Sequence, residues 1–363
     1  MTTANSEWPR IRTGWLLPIG VGQVAVWQLA ALAVLATVFT FDTAAAIVAA
    51  GAAAAVLATS VRLRGLCGYQ WAWTALRFLL RRHRGPVAPA ATPVRALEPR
   101  LTVHTQIDRL GNRTAVASLD EQADFGVTLR VAPADRPDPA RLISLLRKAF
   151  DSQDIPLSSA QLVVWAMPGV ANSPVPVRIS WLALRYRLAE APWAALARGG
   201  GADGARRAAA SAALRLVSEL ATIGYAASVL DTPELHQELS AALGTDPDML
   251  RANGSATYRG EETWRGWSIG KLRQACFVPR SRADALSLIG RCVPESTFTT
   301  TSYAFTRTAR GAVRTTAVAR IGVPKTQFWL TPHQAARKLG LRLLPADGRH
   351  RRHVLASLPL ALG

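Results

Sequence analysis

GWLLPIGVGQVAVWQLAALAVLATVF (residues 14–39) and AAAIVAAGAAAAVLATSV (residues 44–61) carry no Asp, Glu, Lys or Arg. A helix crosses a bilayer core with about 20 apolar residues, so the two runs predict two spans. Only Thr40, Phe41, Asp42 and Thr43 separate them, a link short enough to hold the helices antiparallel and adjacent. Arg10 and Arg12 precede the first run, and Arg62, Arg64, Arg77, Arg81, Arg82 and Arg84 follow the second, whereas the link holds only Asp42. By the positive-inside rule both termini are then cytoplasmic, in a multi-pass protein of the inner (cytoplasmic) membrane. Trp15 before the first span, and Trp71 and Trp73 after the second, suit the headgroup level.

Alanine dominates the second run and gains little from lipid. Its pairs Ala50/Ala54 and Gly51/Ala55 have the small-x-x-x-small spacing that lets backbones approach, so this surface is expected to pack against protein. Two plainer readings compete. A cleaved signal peptide would carry an apolar stretch of about 7–15 residues ending at a cleavage site, which the long first run and the second run behind it do not resemble. A buried hairpin of a soluble fold is the other.

Residues 62–84 continue with helical spacing, placing Leu66, Tyr69, Trp73, Leu76 and Leu80 on one face and Gln70, Thr74, Arg77, Arg81 and Arg84 on another. Such an amphipathic juxtamembrane helix either lies on anionic headgroups, each arginine adding about 1 kcal/mol, or packs on a partner's helix. Residues 85–99, GPVAPAATPVRALEP, have prolines at 86, 89, 93 and 99 and no apolar period, and read as a linker. Residues 1–13 are then a cytosolic N-terminus and residues 100–363 a cytosolic domain.

In that domain strand-like runs fall at 101–105, 113–119, 127–132, 161–166, 175–187, 225–230, 272–278, 296–308, 312–323 and 341–344. Helix starts are marked by Asp138-Pro139, Thr232-Pro233 and Thr331-Pro332, with capping boxes at Asp231/Glu234 and Thr331/Gln334. A further helix, 204–220, ends before Gly224, which suits a left-handed cap. The order from 127 to 230, repeated from 272 to 344, is β-α-β-β-α-β, the order of ferredoxin-like units. The expectation is an α/β (α+β) cytosolic domain of two such units behind a two-helix transmembrane hairpin.

Arginine and lysine outnumber the acids 43 to 24, a net charge of +19. Nucleic acid, an anionic membrane or an acidic partner could each answer that charge. Lysine stands only at Lys148, Lys271, Lys325 and Lys338, however, and so strong an arginine skew is what GC-rich coding produces without any ligand. The densest basic run, 348–353, lacks the interleaved aromatics that stack on bases, so no nucleic acid is expected, and His333, His350 and His353 are read as solvated.

No phosphate loop, G-x-S-x-G elbow, H-E-x-x-H or kinase signature is present. The glycines at 199–201 read as a loop. His104 and Asp108 form H-x-x-x-D, the spacing of a histidine general base in some acyltransferases, but at a strand end they read as a surface pair. Cys67, Cys276 and Cys292 lack metal-ligand spacing and are read as reduced, with a Cys276–Cys292 bridge the alternative. Neither a catalytic residue nor a cofactor or metal is assigned, and the expected class is not an enzyme.

The hairpin, the segment WAWTALRFLLRRHR (71–84), the Pro/Ala linker, IDRLGNRTAVASLDE (107–121), TYRGEETWRGWSIGKLRQACFVPR (257–280) and the ending LRLLPADGRHRRHVLASLPLALG (341–363) resemble EccE, a membrane subunit of the actinobacterial type VII (ESX) secretion system. The resemblance implies a non-catalytic scaffold of an inner-membrane complex for protein transport, working beside EccD-like, EccC-like and EccB-like subunits in the lipid bilayer, with the motor in the EccC-like partner. A membrane-tethered transferase using His104 and Asp108, or a basic membrane-anchored nucleic-acid binder, are the alternatives.

Overall fold

The computed structural model describes residues 21–37, 43–60, 62–63, 66–82, 90, 92–108, 111–120, 123–133, 138–169, 175–245, 258–327 and 329–362. They divide into two compact units, one within Arg10–Pro86 and one within Val87–Gly363.

The smaller unit holds helices α1 (Val21–Thr37) and α2 (Thr43–Ser60), a minimal antiparallel pair β1 (Arg62–Leu63) and β2 (Leu66–Cys67), and helix α3 (Gly68–Arg82). The Trp27 indole N–H, early in α1, donates to Thr59 Oγ1, late in α2, at 3.1 Å, so the two helices run antiparallel. Ala30, Ala52 and Thr59 are the buried members of this pair of helices.

Two spans, 14–39 and 44–61, were expected, and among the described residues one helix meets the requirement. Thr43–Ser60 has 18 residues with a mean hydropathy of 1.8 and is long and apolar enough to cross a membrane. Helix α1 as described has 17 residues, and residues 14–20 and 38–39 of the first expected span lie outside the described set. The remainder of the first expected span falls outside the described residues, among which one candidate span is therefore established. Only 11% of that span is buried, which distinguishes it from the core helix of a soluble fold.

The larger unit is built on one 12-stranded antiparallel sheet. Its strands are β3 (Thr102–Ile107), β4 (Arg113–Asp120), β5 (Asp124–Val131), β6 (Ser159–Met167), β7 (Val177–Arg187), β8 (Ala227–Val229), β9 (Gly260–Thr263), β10 (Gly266–Ile269), β11 (Leu272–Pro279), β12 (Phe298–Arg307), β13 (Val313–Pro324) and β14 (Leu343–Pro345). The order is β3-β4-β5-β7-β6-β12-β13-β11-β10-β9, with β8 on β5 and β14 on β11. The first half runs β5, helix α5 (Pro139–Phe150), β6, β7, helix α7 (Gly201–Thr222), β8. Its strands lie β8-β5-β7-β6, the 4-1-3-2 arrangement of a ferredoxin-like unit. In the second half β11, helix 282–288, β12, β13, helix 332–338 and β14 repeat it as β14-β11-β13-β12. The halves meet where β6 pairs antiparallel with β12, Val163 opposite Ser302.

Both faces of the sheet are covered, which explains why β7 reads as a near-continuous apolar run instead of alternating. Leu182, Leu184 and Tyr186 face α5 and α7, with Ala160, Leu162, Tyr303 and Phe305 on the same side. On the reverse face Trp181, Val163, Cys276 and Val318 pack under helix α4 (Pro93–Leu97), helix α8 (Thr232–Ala242), helix 350–356 and the chain end at Leu358 and Leu360. Polar side chains there are met by backbone. Gln161 Nε2 donates to Ala356 O at 2.8 Å while its Oε1 accepts from Ala361 N–H at 2.6 Å, and Arg185 donates to Asp124 and to Leu360 O.

Four local expectations need correction. The segment 85–99 is more than a linker, because Thr92 caps and Pro93 opens the short α4, whose Val94 and Leu97 are buried in the core. Gly199–Gly201 forms the tight entry to α7, following the short helix α6 (Pro192–Leu196), with Gly200 at φ 73°. At the start of α8 the expected Asp231/Glu234 box is present, so the cap is Asp231, and Thr232, read as a capping side chain, is the first helical residue. His350 is fully buried.

Candidate interaction surfaces

Helix α3 opens at Gly68, where a Cβ would come within 2.9 Å of Ala58 O, so glycine lets the chain turn tightly against α2. Tyr69, Trp73, Leu76, Leu79 and Leu80 are exposed. The inner side carries the buried Thr74, whose hydroxyl donates to Gln70 O at 2.7 Å. Of the predicted membrane-interface residues, Arg77 lies with its guanidinium 5.1 Å from the Trp73 ring centre, Arg81 Nε donates to Arg77 O at 3.3 Å, and Trp71 is half-buried. Trp15, Arg64, Arg84 and the side chains of Arg62 and Arg82 lie outside the described residues. The structure thus brings Trp73, Arg77 and Arg81 together on one exposed strip.

In α2 the predicted packing residues Ala50, Gly51 and Ala54 are exposed and Ala55 is half-buried. A Cβ on Gly51 would meet nothing within 4 Å. The seam with α1 runs instead through Ala52 and Thr59, which leaves the predicted small-residue surface turned outward.

The chemistry of the larger unit is mostly internal. His104 sits inside β3 opposite Val116, while Asp108 closes the β3–β4 turn, accepting from the Asn112 backbone and side-chain N–H groups at 2.8 Å each. Four residues along a strand separate them by about 13 Å, so the H-x-x-x-D spacing makes no acid–base pair.

A second constellation, which sequence reasoning missed, lies where β14 meets the C-terminal helix. Asp347 Oδ1 is 3.6 Å from His333 Nε2 and 3.8 Å from His350 Nε2. Burial pushes the Asp347 carboxyl up, but the two histidines facing it outweigh burial and hold it well below the usual carboxylate range. His350 Nδ1 accepts from the Cys276 backbone N–H at 3.1 Å. That nitrogen is therefore unprotonated, and the neutral ring carries its proton on Nε2, facing the carboxylate. A ring in this tautomer cannot ligate a metal through Nε2, and among the described residues no group of three or more His, Cys, Asp or Glu is placed to hold one. Burial pushes the Cys276 thiol up to about 12, so it is a poor nucleophile. All three cysteines are free. The cluster ties the C-terminal helix to β11.

A cleft of about 480 Å³ lies between the halves, walled by Val131, Leu142, Val164, Val177 and Tyr225, with Arg178 at its rim. Arg178 Nε donates to Gly290 O at 2.9 Å. The lining is mostly apolar and, among the described residues, includes no carboxylate, histidine or cysteine.

Residues 175–278 match a family model described as "Putative type VII ESX secretion system translocon, EccE". This segment of the chain is EccE-like. It runs from the edge of the cleft through β7, α6, α7, β8, α8, β9 and β10 into β11, and so takes in the second part of the first half, with α7 on one face of the sheet and α8 on the other. The EccE family is one of secretion-system translocon components. Within the matched segment lies the β9–β10–β11 meander, in which Trp267 is buried opposite Gln274 and packs on Gly260, where a Cβ would come within 2.8 Å of the indole. No curated protein matches the chain.

Proposed function

We propose that the chain is a non-catalytic structural subunit of a type VII secretion complex in the inner membrane, held there by α2 and working through protein contacts. The observation that carries this reading is the EccE match over 175–278. It is supported by an uncharged α2 that is little buried within its own chain, a situation that is costly in water and favourable in lipid. In this reading Ala50, Gly51, Ala54 and Ala55 face a neighbouring transmembrane helix, and Trp73, Arg77 and Arg81, with Trp15, Arg62, Arg64, Trp71, Arg82 and Arg84, meet the headgroups. The larger unit is cytoplasmic and faces EccD-like, EccC-like and EccB-like partners. Extraction in mild detergent followed by native sizing tests the reading: the chain is expected to migrate in a complex with other ESX membrane subunits. A lone monomer, or release from membranes without detergent, overturns it.

A further inference from the structure

We infer that Trp329, on the loop whose base carries Lys271 and Lys325, is an anchor for an acidic segment of a partner protein. At 73% exposure Trp329 is the most exposed large apolar side chain among the described residues, whereas tryptophan is ordinarily among the more buried types. The described residues on either side of it are held in place. Arg273 Nη2 donates to Gln327 O at 2.7 Å and to Leu330 O at 3.4 Å, Leu330 is buried directly after the tryptophan, and Thr331 and Gln334 close a capping box. Contacts at Gln327 and Leu330 on both sides of the indole lower the backbone entropy that its binding has to spend.

At the base of the loop the Lys325 N–H donates to Lys271 O at 2.8 Å, so two of the four lysines of the chain stand side by side. Both are exposed and neither has an acidic partner among the described residues. Carboxylates from outside would complete them. A bilayer is the weaker occupant, because attachment to lipid scales with buried apolar area, and Lys325 and Thr326, exposed earlier in the same loop, are polar. An exposed tryptophan on a loop with two unmatched cations at its base instead suits a protein interface, where a few such residues carry most of the binding energy.

The test is a photo-crosslinking side chain, p-benzoylphenylalanine, placed at position 329 of the full-length chain in its native membrane. Expected is a crosslink to one polypeptide through a carboxylate-rich segment, with the yield falling at least tenfold when Lys271→Glu and Lys325→Glu are combined and recovering when acids of that segment are changed to lysine. Crosslinking to lipid only, to nothing, or with a yield indifferent to the lysine changes overturns the inference. Thermal unfolding of a Lys271→Gln, Lys325→Gln chain, read in parallel, separates lost docking from lost folding. Membrane attachment through α2 is independent of every one of these outcomes.

Discussion

Gly204 faces Ala195 so closely that a Cβ on it would lie 2.3 Å from the Ala195 carbonyl oxygen. This contact locks α6 onto the first turn of α7, burying Ala194 and Ala195 while Trp193 and Leu196 stay exposed. The obstructing atom is backbone, so it cannot swing away as a side chain would. Gly204→Ala is expected to cost about 2–3 kcal/mol, the range of an overpacked core site, although alanine is the better helix former. Urea unfolding of the detergent-solubilised chain checks it, and an unchanged midpoint would show that α6 yields.

Acidification should weaken the larger unit between neutral pH and about pH 4. Burial, with the neighbouring charges of Arg349 and Arg352, lowers His353 from 6.5 to about 4, while its Nδ1 bond to Arg349 O at 2.9 Å opposes the shift. The unfolded chain therefore binds a proton in this window that the folded one refuses, and stability present above pH 6.5 is lost as pH falls toward 4. Because the ring is half-buried, solvent screening reduces the effect to about 1–2 kcal/mol. Asp347 does not confuse the measurement, since its lowered carboxyl stays ionised throughout that window. His353→Gln should flatten the dependence of unfolding free energy on pH between 7 and 4. An equal slope in both proteins would assign the effect elsewhere.

Within the smaller unit, Trp27→Phe and Thr59→Val each remove one side of the bond joining α1 to α2. Interhelical bonds of this kind are worth about 0.6 kcal/mol on average in membranes, with values to about 1.7. A double-mutant cycle on the chain in nanodiscs should return a coupling in that range. Thr59 also donates to Ala55 O at 2.8 Å, which is why the cycle, rather than either single change, isolates the pair.

The transferase alternative makes a sharp claim about His104. Since the β3–β4 turn engages Asp108 and strand geometry keeps His104 away from it, His104→Ala is expected to support secretion fully in a complemented cell. Loss of secretion with the protein still present at normal level would revive a catalytic role.

Much of the larger unit was legible in the residues, and the reasons are local. The run 272–278 became β11, 312–323 became β13, and 204–220 became α7 with Gly224 at φ 85° closing it, because apolar spacing, a capping side chain and a left-handed glycine each act within a few residues. What was missed depends on distant partners. Strands β9 and β10 are four residues each, too short to show a period, and only the alternation of Trp267 with Ile269 betrays them. Helix α4 hides among prolines, though Thr92-Pro93 repeats the same start signal seen at Thr331-Pro332. His350 looked solvated among arginines because nothing in its own segment announces the Cys276 N–H that it meets. The small-residue face of α2 was legible as a pattern, but the pattern did not say which of its sides meets α1.

The strip on α3 yields the last prediction. If Trp73, Arg77 and Arg81 sit at headgroups, each arginine adds about 1 kcal/mol of attraction to an anionic surface, so Arg77→Gln with Arg81→Gln should remove about 2 kcal/mol, roughly a 30-fold change in the docked population. The chain remains tethered by α2, so overall membrane retention is a blind readout. Amide hydrogen exchange across Tyr69–Arg81 in nanodiscs is not. Protection should be high with anionic lipid, fall with neutral lipid or raised salt, and in the double variant fall with anionic lipid to the level of neutral lipid, where the two changes should have no further effect. The exposed apolar side chains Leu76, Leu79 and Leu80 would then hold the helix only weakly. Protection that ignores lipid charge and salt, yet rises when ESX partner subunits are added, would mean that this face meets a protein helix instead of the bilayer.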